Sequence, residues 1–416
     1  MNYKNIFFPL YPVEHNGYTW GERLTLFSRL IIGIREILIG KNIRYKFIVL
    51  INIIKHLLFY FYNLLLFPVT ILIYFFNFRF VHISSWQIGS YVHQLDTIIK
   101  QNKLNNKLRL ILLCPNFICS NTFISKIYDE EIICIKNLIS YFLFLPFIHN
   151  PLISIVPWDF ETQNRNSIFN KIHRDFFKKF KKNTIHVKIN NLQKKYFKRE
   201  YKNTICIHLR DNYYKSSNTD RNVNIFTLKK TINYLLKKKF KVIRFINNKS
   251  KKLHIKNKNY SELVIKTEED KLNQFLIINS SRLVIGSQSG VLNYNLISET
   301  PFLLTNAIPI NNIMVVKKKD MYIFKKFKKK NNFLSLKEII SHNYHINPEK
   351  IKKGIKIIDN NENEILNSTK EILNLKKFTI NSKLKKKYSS SIKKIGASYT
   401  NAKISNYFLS KNRMII

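Results

Sequence analysis

The chain has 416 residues, with 71 Lys and Arg against 25 Asp and Glu, for a formal charge of +46. That length exceeds one compact core of ordinary size, so two or three domains are expected, and the 45% apolar and 14% aromatic content excludes a disordered chain. The charge alone suggests nucleic acid or an anionic membrane surface, but Gly is held to 9 residues where average usage gives about 29. AT-rich codons produce that bias together with Lys, Asn, Ile, Phe and Tyr, so the lysine excess is weak evidence for function.

The first 25 residues lack a short apolar run followed by a small-residue cleavage site, and a cytosolic chain is expected. Residues 22–40, "ERLTLFSRLIIGIREILIG", read as an amphipathic helix. Residues 56–78, "HLLFYFYNLLLFPVTILIYFFNF", contain no Lys, Arg, Asp or Glu and are long enough to cross a bilayer. Pro68 lies inside the run, which suits a kinked or re-entrant helix in one leaflet as well as a full span; the competing reading is a long buried helix. Basic residues on both flanks, Arg44, Lys46 and Lys55 before and Arg79 after, give no orientation.

"FRFVHIS" (78–84) alternates as a strand. The loop "SWQIGS" follows, then "YVHQLDTIIKQ" with helical period, then the buried-type strand "LRLILLCP" (108–115). Pro146, Pro151 and Pro157 make 140–158 a packed loop or hinge in this reading, and the Lys-rich stretch 178–202 reads as a solvated helix plus linker. Cys114, Cys119, Cys134 and Cys206 show no C-x-x-C pair and no zinc spacing; they read as reduced core thiols.

A cleaner alternation begins at 204. "TICIHL", "FKVIRFI", "RLVIG" and "PFLLTN" are strands, separated by the helices "FTLKKTINYLLKKK", "EEDKLNQFLIIN" and "GVLNYNLIS". Such alternation predicts a parallel sheet with right-handed crossovers. Lys-rich runs at 325–330 and 383–387 read as solvated faces, and "NAKISNYFLSKNRMII" as a final docking helix.

In "TICIHLRD" a hydrophobic strand ends in His208, Arg210 and Asp211. Burying such groups is costly unless they are paired, so they are expected to face a cleft at the carboxyl end of the sheet, where ligands of open α/β sheets bind. Ser287, Ser289 and Gly290 of "GSQSG" fall at a second strand end, where a helix begins and its free N–H groups attract anions. Arg244 is expected near a third strand end, and Arg221 in the "TDRN" loop. A rim with several cations, one imidazole and one helix N-terminus suits a diphosphate. Taken singly, "HLRD" reads as a surface salt bridge and "SQSG" as an N-cap; on successive strands of one sheet the shared site is the better reading.

"CIHLRDNYY", "TDRNVNI", "KVIRF" and "SSRLVIGSQSG", in that order, resemble the C-terminal half of a little-characterised group of bacterial glycosyltransferases of surface-polysaccharide biosynthesis. Their marks are H-x-R-D and a following R-N. The H-x-R element also resembles that of GT-B fucosyltransferases and protein O-fucosyltransferases. The resemblance spans roughly 80–310 and the tail "AKISNYFLSKN", and is strongest over 203–290. It implies an α/β, GT-B-like enzyme: an N-terminal hydrophobic helical segment (1–77), a Rossmann-like acceptor domain (78–195), a Rossmann-like donor domain (196–345) facing it across a cleft, and a helical tail (346–416). By the same carry-over Arg210 holds the donor diphosphate, His208 touches phosphate or sugar, "GSQSG" cradles phosphate, Arg221 and Asn222 shape the pocket, and Ile88 and Gly89 belong to an acceptor-side loop. That loop departs from the family's R-I-G-H, with Gln87 and Ser90 at the charged positions. Gly-Tyr before the Arg244 strand is Lys239-Phe240, and the glycine after Arg244 is absent.

No Asp-x-Asp occurs, and "YDEE" (128–131) reads as a turn or helix start, so neither metal nor cofactor is expected. The leaving-group charge then falls to Arg, Lys and helix dipoles. Candidates for the base that takes the acceptor proton are Asp211, Asp96 and Glu14, with His208 beside Asp211. The expected partners are a nucleotide-sugar donor, a glycan or lipid-linked acceptor and an anionic membrane surface, with the chain cytoplasmic and peripheral or monotopic at the inner membrane. Two other readings compete: a basic nucleic-acid-binding protein, against which the lysines are dispersed and no specific nucleic-acid motif occurs, and a degenerate, non-catalytic scaffold, suggested by the altered "QIGS".

Overall fold

A computed structural model of the chain describes residues 43–81, 88–105, 108–116, 119–150, 152–155, 201–211, 219–310, 315–345, 354–394 and 400–416, with scattered positions before and between them. Most of the helix expected at 22–40 and most of the stretch 178–202, with Glu14 and Gln87, lie outside the described residues. The chain divides into two compact units, Met1–Glu161 and Thr162–Ile416.

The first unit opens with α1 (Ile43–Leu65) and α2 (Phe67–Phe75), joined at Leu66 with a bend of 72°. The bend has a chemical cause: Pro68 sits in the first turn of α2, where its missing N–H is tolerated, and cannot continue the helix before it. β1 (Phe78–Val81), α3 (Ile88–Asn105), β2 (Arg109–Leu113), α4 (Thr122–Ile127), β3 (Ile132–Ile135) and β4 (Ser154–Ile155) follow. They form a parallel sheet of order β3-β2-β1-β4. The segment expected as a loop from 140 is instead α5 (Leu138–Phe144) running into a 3-10 turn (Leu145–His149). Pro146 is accommodated because it lies at the start of that turn, where no donor is required. "YDEE" is a turn.

The second unit holds a seven-stranded parallel sheet. Its strands are β5 (Thr204–His208), β6 (Lys241–Ile246), β7 (Tyr260–Val264), β8 (Leu283–Gly286), β9 (Phe302–Ala307), β10 (Met321–Phe324) and the short β14 (Lys403–Ile404). α6 (Lys229–Lys237) and α7 (Glu268–Ser280) are crossovers, the latter closed by a capping box between Thr267 and Asp270. The strand order is β7-β6-β5-β8-β9-β10-β14. Every residue of β8 and β9 is buried, as a sheet covered on both faces demands. β11 (Lys326–Lys329), β12 (Asn332–Phe333) and β13 (Ile355–Ile358) make a separate antiparallel sheet, with α8 (Leu336–Ser341) between β12 and β13. The tail, α9 (Glu362–Ile372), α10 (Ser382–Lys394) and α11 (Asn406–Lys411), belongs to this unit. α11 docks by burying Phe408 and Leu409, and Glu371 accepts from the Asn406 N–H (2.9 Å) and the Ser405 hydroxyl (2.7 Å) at its start.

The run 325–330 is not one solvated face. Lys325 and Lys326 are buried, and each meets a carboxylate: Asp359 at 2.8 Å and Glu364 at 2.7 Å. All four cysteines are free thiols, with Cys206 fully buried in β5 and Cys114 buried at the end of β2.

Candidate functional site

Counted in chain order, the strands of the second unit run 3-2-1-4-5-6-7, so the order reverses between β5 and β8. Such a reversal leaves a crevice outside the carboxyl ends of the two strands, because the connections leave toward opposite faces. β5 ends in His208 and leads to Arg210 and Asp211; β8 ends at Gly286 and leads to Ser287, Ser289 and Gly290. His208 and Gly286 are paired across the ladder, so the two groups share one strand-end rim.

The loops are tied to each other directly. The Ser287 N–H donates to the His208 carbonyl (3.2 Å), and the Arg210 N–H donates to the Ser287 hydroxyl (2.8 Å). Gln288, fully buried, accepts from the Ile308 N–H (2.9 Å) and holds the turn from below. A 3-10 helix (Gly290–Ile297) starts at the rim with Ser289 at its N-cap. The capping reading of that serine fails: it makes no side-chain cap bond, and its hydroxyl is buried with no hydrogen-bond partner among the described residues.

His208 is half-buried. Burial pushes its imidazole down to about 4, against the Asp211 charge and a hydrogen bond to the Phe245 backbone, with Arg244 lowering it further. The ring is therefore neutral at physiological pH. Its Nδ1 is buried without a hydrogen-bond partner among the described residues. A neutral imidazole offers one N–H donor and one acceptor nitrogen. Asp211 is buried beside it.

Arg210 reaches sideways. Its Nε donates to Asn222 Oδ1 (3.1 Å), and its carbonyl accepts from the Val223 N–H (2.9 Å). The "TDRN" segment is thereby pinned over the rim, with half-buried Arg221 closing a single 3-10 turn (Thr219–Arg221). Behind it, Lys325 Nζ donates to the Asn222 carbonyl (2.7 Å), and Asp359 accepts from the Asn224 N–H (2.9 Å). Lys325 and Asp359 were not legible as part of the site, because the first is one of several lysines in a run and the second comes from 135 residues beyond the Asn224 it holds. Gly286 was passed over too: a Cβ there would lie 2.3 Å from Leu292 Cδ1 and 3.0 Å from the His208 carbonyl.

Arg244 is placed differently from expectation. It is the fourth of six residues in β6, is 1% exposed, and pairs with Glu262 on β7 (2.7 Å) while donating to the Lys251 carbonyl (2.8 Å). Burial alone would raise the Glu262 carboxyl, but the Tyr260 hydroxyl and Arg244 hold it below its ordinary value. This guanidinium is engaged inside the sheet by Glu262, from the β6 residue in register with Ile207.

In the first unit the order also reverses, between β1 and β4. Ile88 and Gly89 open α3 just after β1, with Gly89 buried and Ile88 half-buried. Asp96 lies deeper in α3, fully buried, accepting from Lys100 (2.6 Å) and the Tyr128 hydroxyl (2.9 Å). That pairing removes it from the candidate bases, since no acceptor can reach it. Among the described residues no group of three His, Cys, Asp or Glu side chains could hold a metal ion.

No family model and no curated protein matches the sequence. Among solved structures the chain is similar to the E. coli heptosyltransferase WaaC with ADP: 10% identity, TM-score 0.37, covering 65% of this chain and 97% of that one. It is also similar to a glycosyl transferase family 9 protein from Veillonella parvula: 13% identity, TM-score 0.33, covering 68% and 79%. Overlaps this loose carry no functional argument.

Proposed function

We propose that the chain is a glycosyltransferase that binds a nucleoside-diphosphate sugar on the rim between β5 and β8 and transfers the sugar to a glycan or lipid-linked acceptor. The observation that carries this reading is the position of His208–Asp211 and Ser287–Gly290 on the two strands that flank the reversal of strand order. The resemblance of "HLRD", "TDRN" and "GSQSG" to glycosyltransferase motifs supports it from the sequence.

In this scheme the acceptor hydroxyl oxygen attacks the anomeric carbon. The bond from that carbon to the phosphate oxygen breaks, and its electron pair leaves on the diphosphate. Arg210, Arg221 and the backbone N–H groups that open the 3-10 helix at Gly290 neutralise the developing charge. The unpaired Ser289 hydroxyl donates to a phosphate oxygen. His208, neutral and with an unpartnered Nδ1, suits a hydroxyl and can take the acceptor proton. Asp211, adjacent, then stabilises the imidazolium. No metal is required by this scheme.

The test is calorimetric titration with the nucleoside-diphosphate sugars of uridine, guanosine, adenosine and thymidine. One of them should bind the wild type and lose affinity in Arg210→Ala; equal affinity in the variant would remove the rim from the assignment. Donor hydrolysis in the absence of acceptor would separate an enzyme from a non-catalytic scaffold.

A further inference from the structure

We infer that the first unit seats on an anionic lipid surface through one face of its bent helix pair, lying in one leaflet without crossing the bilayer. Along α1 the residues Phe47, Leu50, Ile54, Leu58, Phe61 and Leu65 recur at steps of three and four, and each is 45% to 78% exposed. Steps of three and four keep side chains on one side of a helix. Past the bend α2 exposes Leu72 and Phe75, and α5 exposes Ile139 (78%) and Leu143. Exposed apolar surface of this extent exceeds what a soluble monomer ordinarily carries and marks a docking face.

The opposite side of the same helices is committed to the protein. Phe59, Tyr62, Leu66 and Ile73 pack on the cluster containing Phe80, Tyr141 and Phe147. Tyr62 donates its hydroxyl proton to the Leu143 carbonyl (3.0 Å), and Asn63 donates to the Pro146 carbonyl (2.9 Å) and accepts from Asn150 (3.2 Å). A membrane span requires apolar surface over about 30 Å of hydrocarbon. α2 has nine residues, about 13.5 Å at the ordinary helical rise, and leaves α1 at 72°. No single described helix is long and apolar enough to cross a membrane. A one-sided stripe on a bent pair instead matches an in-plane helix buried only to the level of the acyl boundary.

Charge selects lipid over a second copy of the chain. No Asp or Glu occurs from 37 to 95 or from 132 to 158. Lys46 lies about a quarter turn to one side of the stripe, at about 100° of rotation per residue, where its stem can extend to the headgroups. Arg79, stacked 4.3 Å over Tyr74, and Arg109, 5.3 Å over Phe78, follow the helix pair, and exposed Lys136 precedes α5. Two such faces would oppose cation to cation, whereas anionic headgroups neutralise these cations. The inference stands on this surface and is independent of the glycosyl-transfer reading.

The test is flotation of the full chain with vesicles of phosphatidylcholine alone and of equal parts phosphatidylcholine and phosphatidylglycerol. The wild type should float with the anionic vesicles. The double variant Leu58→Glu, Phe61→Glu, at exposed positions, should lose at least about tenfold in partition, and Arg109→Glu with Lys136→Glu should lose it for anionic vesicles in particular. Equal circular dichroism and thermal midpoints would show the variants folded. External trypsin on sealed vesicles should cleave both before residue 43 and after residue 79. Protection of either side, showing a span, would overturn the inference. So would a wild type that ignores vesicles while light scattering shows a dimer that L58E/F61E dissociates.

Discussion

The Ser287 hydroxyl accepts the backbone N–H of Arg210 at 2.8 Å, joining the loop after β8 to the loop after β5 across 77 residues of chain. Ser287 is fully buried, so nothing else can take its place at that N–H. Ser287→Ala should cost about 1–3 kcal/mol, the penalty of an unsatisfied buried donor, read as a lower midpoint in denaturant unfolding. It should also weaken nucleotide binding, since the Arg210 side chain depends on that backbone position.

Arg210→Ala should act on binding more than on stability. The residue is half-buried, and its Asn222 partner also accepts from Lys325 through its carbonyl. Loss of a charge-assisted contact to phosphate is expected to lower nucleoside-diphosphate affinity by about tenfold or more at a cost of about 1.5–3 kcal/mol, with the thermal midpoint of the unliganded protein little changed. Calorimetry and a thermal scan on the same sample check both halves.

Gly286→Ala should destabilise without touching a ligand group. The added Cβ would meet Leu292 Cδ1 at 2.3 Å and the His208 carbonyl at 3.0 Å, and Leu292 is fully buried with no free volume to enter. A cost of about 1–3 kcal/mol is expected for overpacking of this kind, measured by urea unfolding.

Arg244 and Glu262 should behave as a structural pair. Removing one partner leaves the other charge buried, so Arg244→Met and Glu262→Gln should each cost about 3–5 kcal/mol, while the double variant should recover part of the loss. Were Arg244 a phosphate ligand, Arg244→Met would instead lower nucleotide affinity and leave unfolding nearly unchanged.

Acid should weaken the fold through His208. Its ordinary value of 6.5 falls to about 4 in the folded chain. Between these values the unfolded chain binds a proton that the folded chain refuses, so stability is complete above pH 6.5 and is lost as pH falls toward 4. The full effect is a few kcal/mol, at about 1.4 kcal/mol per unit. His93 in α3 is lowered to about 4 in the same direction by burial and by Lys100. His208→Gln should therefore flatten part of the slope between pH 6.5 and 4 in acid unfolding followed by circular dichroism; an unchanged slope would show that the imidazole is solvated.

The alternation of strands and helices from 204 onward was legible because buried parallel strands are short runs of Val, Ile and Leu between amphipathic helices. Local pattern therefore places β5, β6, β8 and β9 and the helices between them. β3 and β7 were not read, since "IICI" resembles any buried segment and "YSELV" carries a glutamate whose partner, Arg244, belongs to another strand. Pro146 read as a helix breaker because composition does not say that it falls in the first turn of a new helix.

What the sequence determined by itself is the set of chemistry-bearing residues at strand ends: a strand that finishes in His208, Arg210 and Asp211 shows them without any structure. Which of those cations are committed was decided in three dimensions. Arg244 is neutralised by Glu262, Lys325 by Asp359, and Lys100 by Asp96, each through a contact fixed by the fold or by a helical turn. Electrostatic pairing acts over a few ångströms of space and not over positions in a chain, so only the folded sheet could separate a cation held inside the structure from one left at its rim.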